Sequence, residues 1–491
     1  LFKHSPKVSA AVGLMFLAAA CGPPQDAAAP ARPPLAEKWL TRAKESYRAG
    51  DMADATDASD SALKVSPRDP EVRMVKARVS LSRLDFTEAA KLSQGIATTE
   101  AHQLRARALW YGGDLESAAE EIDAILADPN TKDVWASDVG KLARTGQGRH
   151  PFAIEGGLVG AVEMPRAGAS LVVPCELDGE RILAVVDTAV PEFVIDSTTR
   201  REPAWVNLRF DHLEVKDVPA VTRDLTPISR QFGATIKALI GVNALRHMHV
   251  TFDRHGDQFV VRKDDPPAPP DASRVPLFYA RGGLMMLRAG VNKDEGGQTP
   301  FFLNTSAPYY VALEDATWKR AGVDLSVLRG DPSLPDNVKS GVLPLFRVFG
   351  FDLPDVPGYE NVPLAELKSA IDIDLGGVVG SAVLSLFRVT FGDDGRFIWV
   401  EPDPTLAEAP SGGRRGGRGA PPGPPPASDI TPPTGTMSPG TLTPGMGKPP
   451  AGNTPPAPPA SAAPTSKVPA APKAPAAKPA TSAAPAPAKK P

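Results

Sequence analysis

The chain has 491 residues, room for about three domains at roughly 150 residues each. Its 42% apolar content is enough for packed cores, while 55 prolines beside 43 glycines point to long stretches that are neither helix nor strand. A net charge of −3 gives no case for nucleic acid, and two cysteines exclude a disulfide framework. The charge is uneven: residues 403–491 hold nine Lys/Arg and three Asp/Glu, a net of +6, which leaves −9 for residues 1–402.

Lys3 and Lys7 precede an uncharged run from Val8 to Ala20, a basic n-region and an h-region too short to span a bilayer as a stable helix. The run ends Leu17-Ala18-Ala19-Ala20-Cys21-Gly22, and small residues before a cysteine resemble the bacterial lipoprotein box. The resemblance implies a signal peptide over 1–21, lipid on Cys21 and a Pro/Ala-rich tether over 22–34. Gly22 is not an aspartate, so the same resemblance implies the outer membrane or its periplasmic face.

Residues 35–148 carry a repeat. Ala43, Gly50-Asp51, Ala55 and Ala62 recur 34 residues later as Ala77, Leu84-Asp85, Ala89 and Ile96. A third unit has Ala106, Gly113-Asp114, Ala118 and Ile125. Small residues at these places let paired helices approach closely, and Pro67 and Pro129 stop the second helix of their units. The pattern resembles the tetratricopeptide repeat and implies an all-α solenoid, with Val134 to Leu142 as a capping helix. That resemblance implies a peptide or protein segment as partner, and Trp39, Trp110 and Tyr111 are candidates to line a concave groove.

From 150 to 402 the texture changes to short apolar runs broken by Gly, Pro, Asp and Asn, the mark of strands. Leu171–Leu177, Ile182–Val186, Leu208–Val215, Val250–Phe252 and Phe259–Val261 are predicted strands of a first copy over 150–263. A Pro-rich linker covers 264–272, and a second copy over 273–402 repeats the order. The duplication is clearest where Leu239-Ile240-Gly241-Val242-Asn243-Ala244-Leu245 matches Val378-Val379-Gly380-Ser381-Ala382-Val383-Leu384. Cys175 lies in an apolar run and reads as a buried thiol.

Each copy has one apolar run that ends on a polar residue, a threonine, a small residue and a proline. These are Val185-Val186-Asp187-Thr188-Ala189-Val190-Pro191 and Phe302-Leu303-Asn304-Thr305-Ser306-Ala307-Pro308. A buried strand delivers one polar side chain in this way and then turns. With the hydrophobic-hydrophobic-Gly segments, the loops resemble those of retropepsin-like and pepsin-like aspartic proteases. The expected fold is therefore an all-β, double-lobed acid-protease-like barrel pair behind the all-α solenoid, with disordered termini.

Such proteases polarise a water between two carboxylates that share one proton. Here Asp187 and Thr188 stand in the first loop, with Ala189 where the family has glycine. In the second, Thr305 is kept, but Asn304 replaces the aspartate and Ser306 the glycine. Both threonines can still bond across and lock the loops. An amide cannot ionise, so the shared proton is lost and no second acid protonates a leaving amine. A non-catalytic descendant that keeps the cleft is the favoured reading. An active aspartic endopeptidase using Asp187, and an envelope protein with a purely structural role, stay open. Asp372 and Asp374 read as a solvated turn.

His247 and His249 alternate on a predicted strand near Asp253 and His255, but the second copy has Leu386, Arg388, Gly392 and Asp394 there, so no metal site is expected. No phosphate loop, nucleotide fingerprint or nucleophile elbow appears, and no cofactor is expected. Residues 403–491 are Pro, Ala, Gly, Ser and Thr with scattered lysine, the composition of a disordered tail. Lys467, Lys473, Lys478, Lys489 and Lys490 suit weak contact with an anionic wall polymer.

Overall fold

The computed structural model describes residues 32–292, 297–330, 338–360 and 364–402. The lipidation candidate Cys21, the tether as far as residue 31 and the basic tail from 403 lie outside the described residues. Helices fill the N-terminal part and strands dominate the rest.

Seven helices come first: α1 (Pro34–Arg48), α2 (Met52–Val65), α3 (Pro70–Ser82), α4 (Phe86–Ser93), α5 (Thr99–Tyr111), α6 (Leu115–Ala127) and α7 (Val134–Arg144). The recurring Gly/Leu-Asp pair is the turn between them. Gly50, Leu84 and Gly113 all take a left-handed backbone, at φ 67°, 63° and 84°. Asp51, Asp85 and Asp114 then stand at the N-cap of α2, α4 and α6, and the Asp51 and Asp114 carboxylates accept from the amides of Asp54 and Ser117. Ala43, Ala55, Ala77, Ala89, Ala106 and Ala118 have no exposed surface, which is how adjacent helices come close. Each helix packs on the next, and α3 also touches α1 and α5.

The β region contains two sheets with the same core pairing. In the first, Glu180–Val186 runs parallel to Ile236–Ile240, which is antiparallel to Phe193–Asp196, which is parallel to Leu213–Arg223. In the second, Thr299–Asn304 runs parallel to Gly377–Gly380, which is antiparallel to Val311–Leu313, which is parallel to Phe351–Glu360. A third, six-stranded sheet joins the two halves. Its central pair is Thr251–Asp253 against Phe387–Gly392, where the Thr251 and Thr390 hydroxyls meet at 2.8 Å.

Two expectations are corrected. Leu208–Val215 is not one strand: Ala204–Phe210 and Leu213–Arg223 form a hairpin that turns at Asp211, φ 57°. His247 and His249 do not share a strand face, because Val242–His247 is helical and His249 has φ 42°. His247 stacks on Phe152 at 4.6 Å, while the His249 ring faces Asp265. Asp372 and Asp374 do lie in a turn that meets solvent, and there Asp372 pairs with Arg48 of α1 and faces Arg78 of α3.

Strand alternation decides what the helices touch. Ala184, Val186, Phe193, Ile195 and Ile240 point into the β core. Their neighbours Val185, Val194 and Leu239 point the other way and pack against Tyr111, Leu115, Trp135 and Leu142 of the helices. In the second sheet Leu303, Val311 and Val379 face the core, while Phe302, Ala312 and Val378 pack with Tyr47, Ala55 and Val79. Trp110 and Tyr111 are therefore buried at this junction, where they line a small cavity with Phe152, Asn243 and His247. Trp39 is half-buried beside Leu40 and Val72, under the Arg42 guanidinium.

Candidate functional site

The loops at Asp187 and Asn304 meet, and their threonines hold them together. The Thr188 amide donates to Thr305 Oγ1 at 3.0 Å, and the Thr305 amide donates to Thr188 Oγ1 at 3.1 Å. Each hydroxyl then donates to the strand of the other half, Thr188 Oγ1 to the Leu303 carbonyl at 2.6 Å and Thr305 Oγ1 to the Val186 carbonyl at 2.7 Å. All four groups are buried, and each bond has its counterpart across the pair. A buried lock of this kind fixes the loops because any member left unpaired would keep its full desolvation cost.

The polar residues use the same local geometry. Asp187 Oδ1 accepts from the Ala189 amide at 2.9 Å, and Asn304 Oδ1 accepts from the Ser306 amide at 3.0 Å. Both threonines are followed by residues with a Cβ where the resemblance implies glycine, and the second of these adds a contact: Ser306 Oγ donates to Asn304 Oδ1 at 2.7 Å. Asp187 is 5% exposed and Asn304 2%. Burial raises the Asp187 carboxyl above the ordinary carboxylate range, against the Ala189 amide and the Ser306 hydroxyl, which favour its ionised form.

The hydrophobic-hydrophobic-Gly segments close the back of each loop. The Val242 and Asn243 amides donate to the Val190 and Pro191 carbonyls at 3.0 and 2.9 Å. The Ser381 and Ala382 amides donate to the Ala307 and Tyr309 carbonyls at 2.8 and 3.2 Å. Gly241 and Gly380 are needed for that approach. A Cβ on Gly241 would stand 2.0 Å from the Glu192 carbonyl oxygen, and one on Gly380 would stand 2.1 Å from that of Tyr309.

Sequence reasoning missed Glu192. It follows Pro191 in the first loop and is buried. Its Oε1 accepts from the Tyr111 hydroxyl at 3.1 Å and from Trp135 Nε1 at 3.0 Å, and Oε2 accepts from Asn243 Nδ2 at 3.4 Å. Arg246 stands behind this group, donating to Asn243 Oδ1 at 2.8 Å. Burial also raises the Glu192 carboxyl. Its signal in the sequence was weak, since its partners come from α5 and α7, far away along the chain.

Chemically the pair of loops brings together the buried Asp187 carboxyl, the buried Asn304 amide and the half-buried Ser306 hydroxyl. Cys175 offers no nucleophile, because burial pushes its thiol up to about 12. Among the described residues no three His, Cys, Asp or Glu side chains converge as metal ligands.

No protein-family profile and no curated protein matches this chain. Among solved structures it is similar to the crystal structure of a retropepsin-like aspartic protease from Rickettsia conorii, with 18% identity, 28% of this chain and 95% of that chain covered, and a TM-score of 0.21.

Proposed function

We propose that residues 150–402 are a two-lobed, aspartic-protease-like unit that has lost peptidase activity, and that the chain binds a peptide or protein segment at the cell envelope. The observation that carries this reading is the reciprocal threonine lock around a pair in which one partner is Asn304. The lock keeps the loops as they are arranged for a carboxylate pair, while the amide removes the proton that such a pair shares.

The helices are proposed to be a tetratricopeptide-like solenoid over 35–148, and the segment is proposed to lie along their inner side. A cavity of about 400 Å³ opens there, lined by Lys44, Arg48, Met74, Val75 and Arg78, with Asp372 of the β region as one wall. Its apolar floor and charged rim suit an extended chain better than a small apolar ligand. A lipid on Cys21 would hold the body at the membrane, and the basic tail would add contact with an anionic wall polymer; both belong to the proposal.

Purified protein without the signal segment is expected to leave casein and unfolded peptides intact from pH 3 to 7. Cleavage that disappears in Asp187→Ala would overturn the reading and restore an aspartic endopeptidase. A peptide library is expected to yield binders that fail on Met74→Asp, and an inert library would leave a structural envelope role in their place.

A further inference from the structure

Asp187 directly follows the strand that carries Val185, its amide still donating to the Ile240 carbonyl at 3.0 Å, and Asn304 ends its own strand two residues beyond Phe302, on the same face. Those are the faces covered by the helices. Val185, Val194 and Leu239 lie under Tyr111, Leu115 and Trp135, and Phe302, Ala312 and Val378 lie under Tyr47, Ala55 and Val79. The equivalent surface of both sheets, which would form the walls of any cleft leading to the two loops, is thus taken by the chain's own helices.

The contact is specific at one point. Tyr111 donates to Glu192, in the loop that carries Asp187, and Trp135 donates to the same oxygen. Tyr111 also bounds the turn Arg281–Gly283 of the second sheet. A Cβ on Gly282 would meet the Tyr111 ring at 3.1 Å, and one on Gly283 would meet Pro191 at 2.5 Å and the Tyr111 hydroxyl at 3.2 Å. Helix, first loop and second-sheet turn therefore close on a single side chain. Outside that point, Arg48 of α1 pairs with Asp372, Arg288 with Asp51 and Arg396 with Asp85. These pairs lie at the rim, where ion pairs add little.

We propose that the helical region is an autoinhibitory closure of the Asp187–Asn304 site, latched by Glu192 between Tyr111 and Trp135, so that a segment reaches the site only when the helices lift. The proposal rests on reading the two loops as a protease-like cleft. It makes the acid beside the site the element that reports whether the helices are seated. Removing the two donors from the helix side leaves the loop sequence untouched, so any change at the loop comes through the contact.

The test is hydrogen exchange on the full chain, comparing wild type with Tyr111→Phe/Trp135→Phe. Both substitutions keep aromatic rings in place, and Tyr111→Phe alone serves if the pair does not fold. The central sheet segment Phe387–Gly392 reports that folding is kept. The expected result is exchange at least tenfold faster in α5, α7 and the loop 185–191, with Phe387–Gly392 unchanged. Faster exchange in the helices with no change at 185–191, or no change anywhere, would overturn the closure. A statine-containing peptide is then added. If it slows exchange at 185–191 in the variant but not in wild type, closure and cleft both stand. If the loop opens and the peptide does nothing, closure stands and the protease-like reading falls.

Discussion

Thr188 and Thr305 each do two jobs with one hydroxyl, accepting from an amide of the opposite loop and donating to a carbonyl of the opposite strand. Valine has the same shape and can do neither. Thr188→Val would leave the Thr305 amide and the Leu303 carbonyl unpaired in a dry interior, at a cost of roughly 2–4 kcal/mol, read as a lower denaturant midpoint. Asp187 gives a pH test. Its folded carboxyl titrates above the unfolded value of about 3.9, so the native state favours the protonated form. The sign follows: the Asp187 contribution is most favourable below about pH 4 and is lost as pH rises through the raised value, where the buried charge must form. Asp187→Asn cannot ionise. Its stability relative to wild type should therefore grow as pH rises from about 4 through the raised value and stay level beyond, in denaturant titrations at each pH. Glu192 shifts in the same direction and is common to both proteins. The Asp187 and Asn304 loops were legible because their pattern is local: an apolar run, one polar residue, a threonine and a proline within seven positions. Glu192 was not, because its burial depends on Tyr111 and Trp135, and nothing next to it in sequence announces them.

Among the elements, the segments Ile236–Ile240 and Gly377–Gly380 set the limits on change. Each lies parallel to the strand that delivers the polar residue, and each ends at a glycine against a loop carbonyl. Alanine at Gly241 or Gly380 must displace backbone, which has no flexible end to swing away. Either substitution should cost about 3 kcal/mol or more and also disturb the threonine lock, visible as altered exchange at Thr188 and Thr305. The duplicated motif was readable because its glycines and helix starts recur at matching places. The Ala204–Phe210 and Leu213–Arg223 hairpin was not, since Asp211-His212 carries no Asn-Gly or Gly-Gly signal and only a change of phase, from Leu208 and Phe210 to Leu213 and Val215, marks the turn. The helix turns were legible for the opposite reason, in that Gly50 and Gly113 pair left-handed backbone with an aspartate N-cap.

At the scale of the whole molecule, helices and sheets share their apolar surface. Tyr47, Tyr111, Trp135 and Val139 have their partners on strands, a cover they share with Leu367 and Ile371 on the second sheet and with Ile228 and Phe232 on the first. Residues 150–402 made alone should therefore expose Val185, Val194, Leu239, Phe302 and Val378 together, and are expected to aggregate or bind a hydrophobic dye. A soluble, dye-silent fragment would count against that account. The intact body should unfold in one transition, not two, by circular dichroism and by tryptophan emission, since Trp110 and Trp135 sit at the shared surface. This sharing is what the sequence hid most completely. Aromatics at helical spacing are more often core than groove, and the core that Trp110 and Tyr111 join is built with strands over sixty residues downstream.

The six-stranded sheet has a consequence for how the chain is made. It draws its strands from Val159–Glu163 at one edge through to Phe397–Pro402, which is held between Ser273–Pro276 and Phe387–Gly392. Contacts so distant along the chain form late. Neither half can complete this sheet until residue 402 has been synthesised, so a chain cut short before Phe397 leaves open strand edges on both sides of the gap. The sheet thereby distinguishes chains that have reached residue 402 from those that have not.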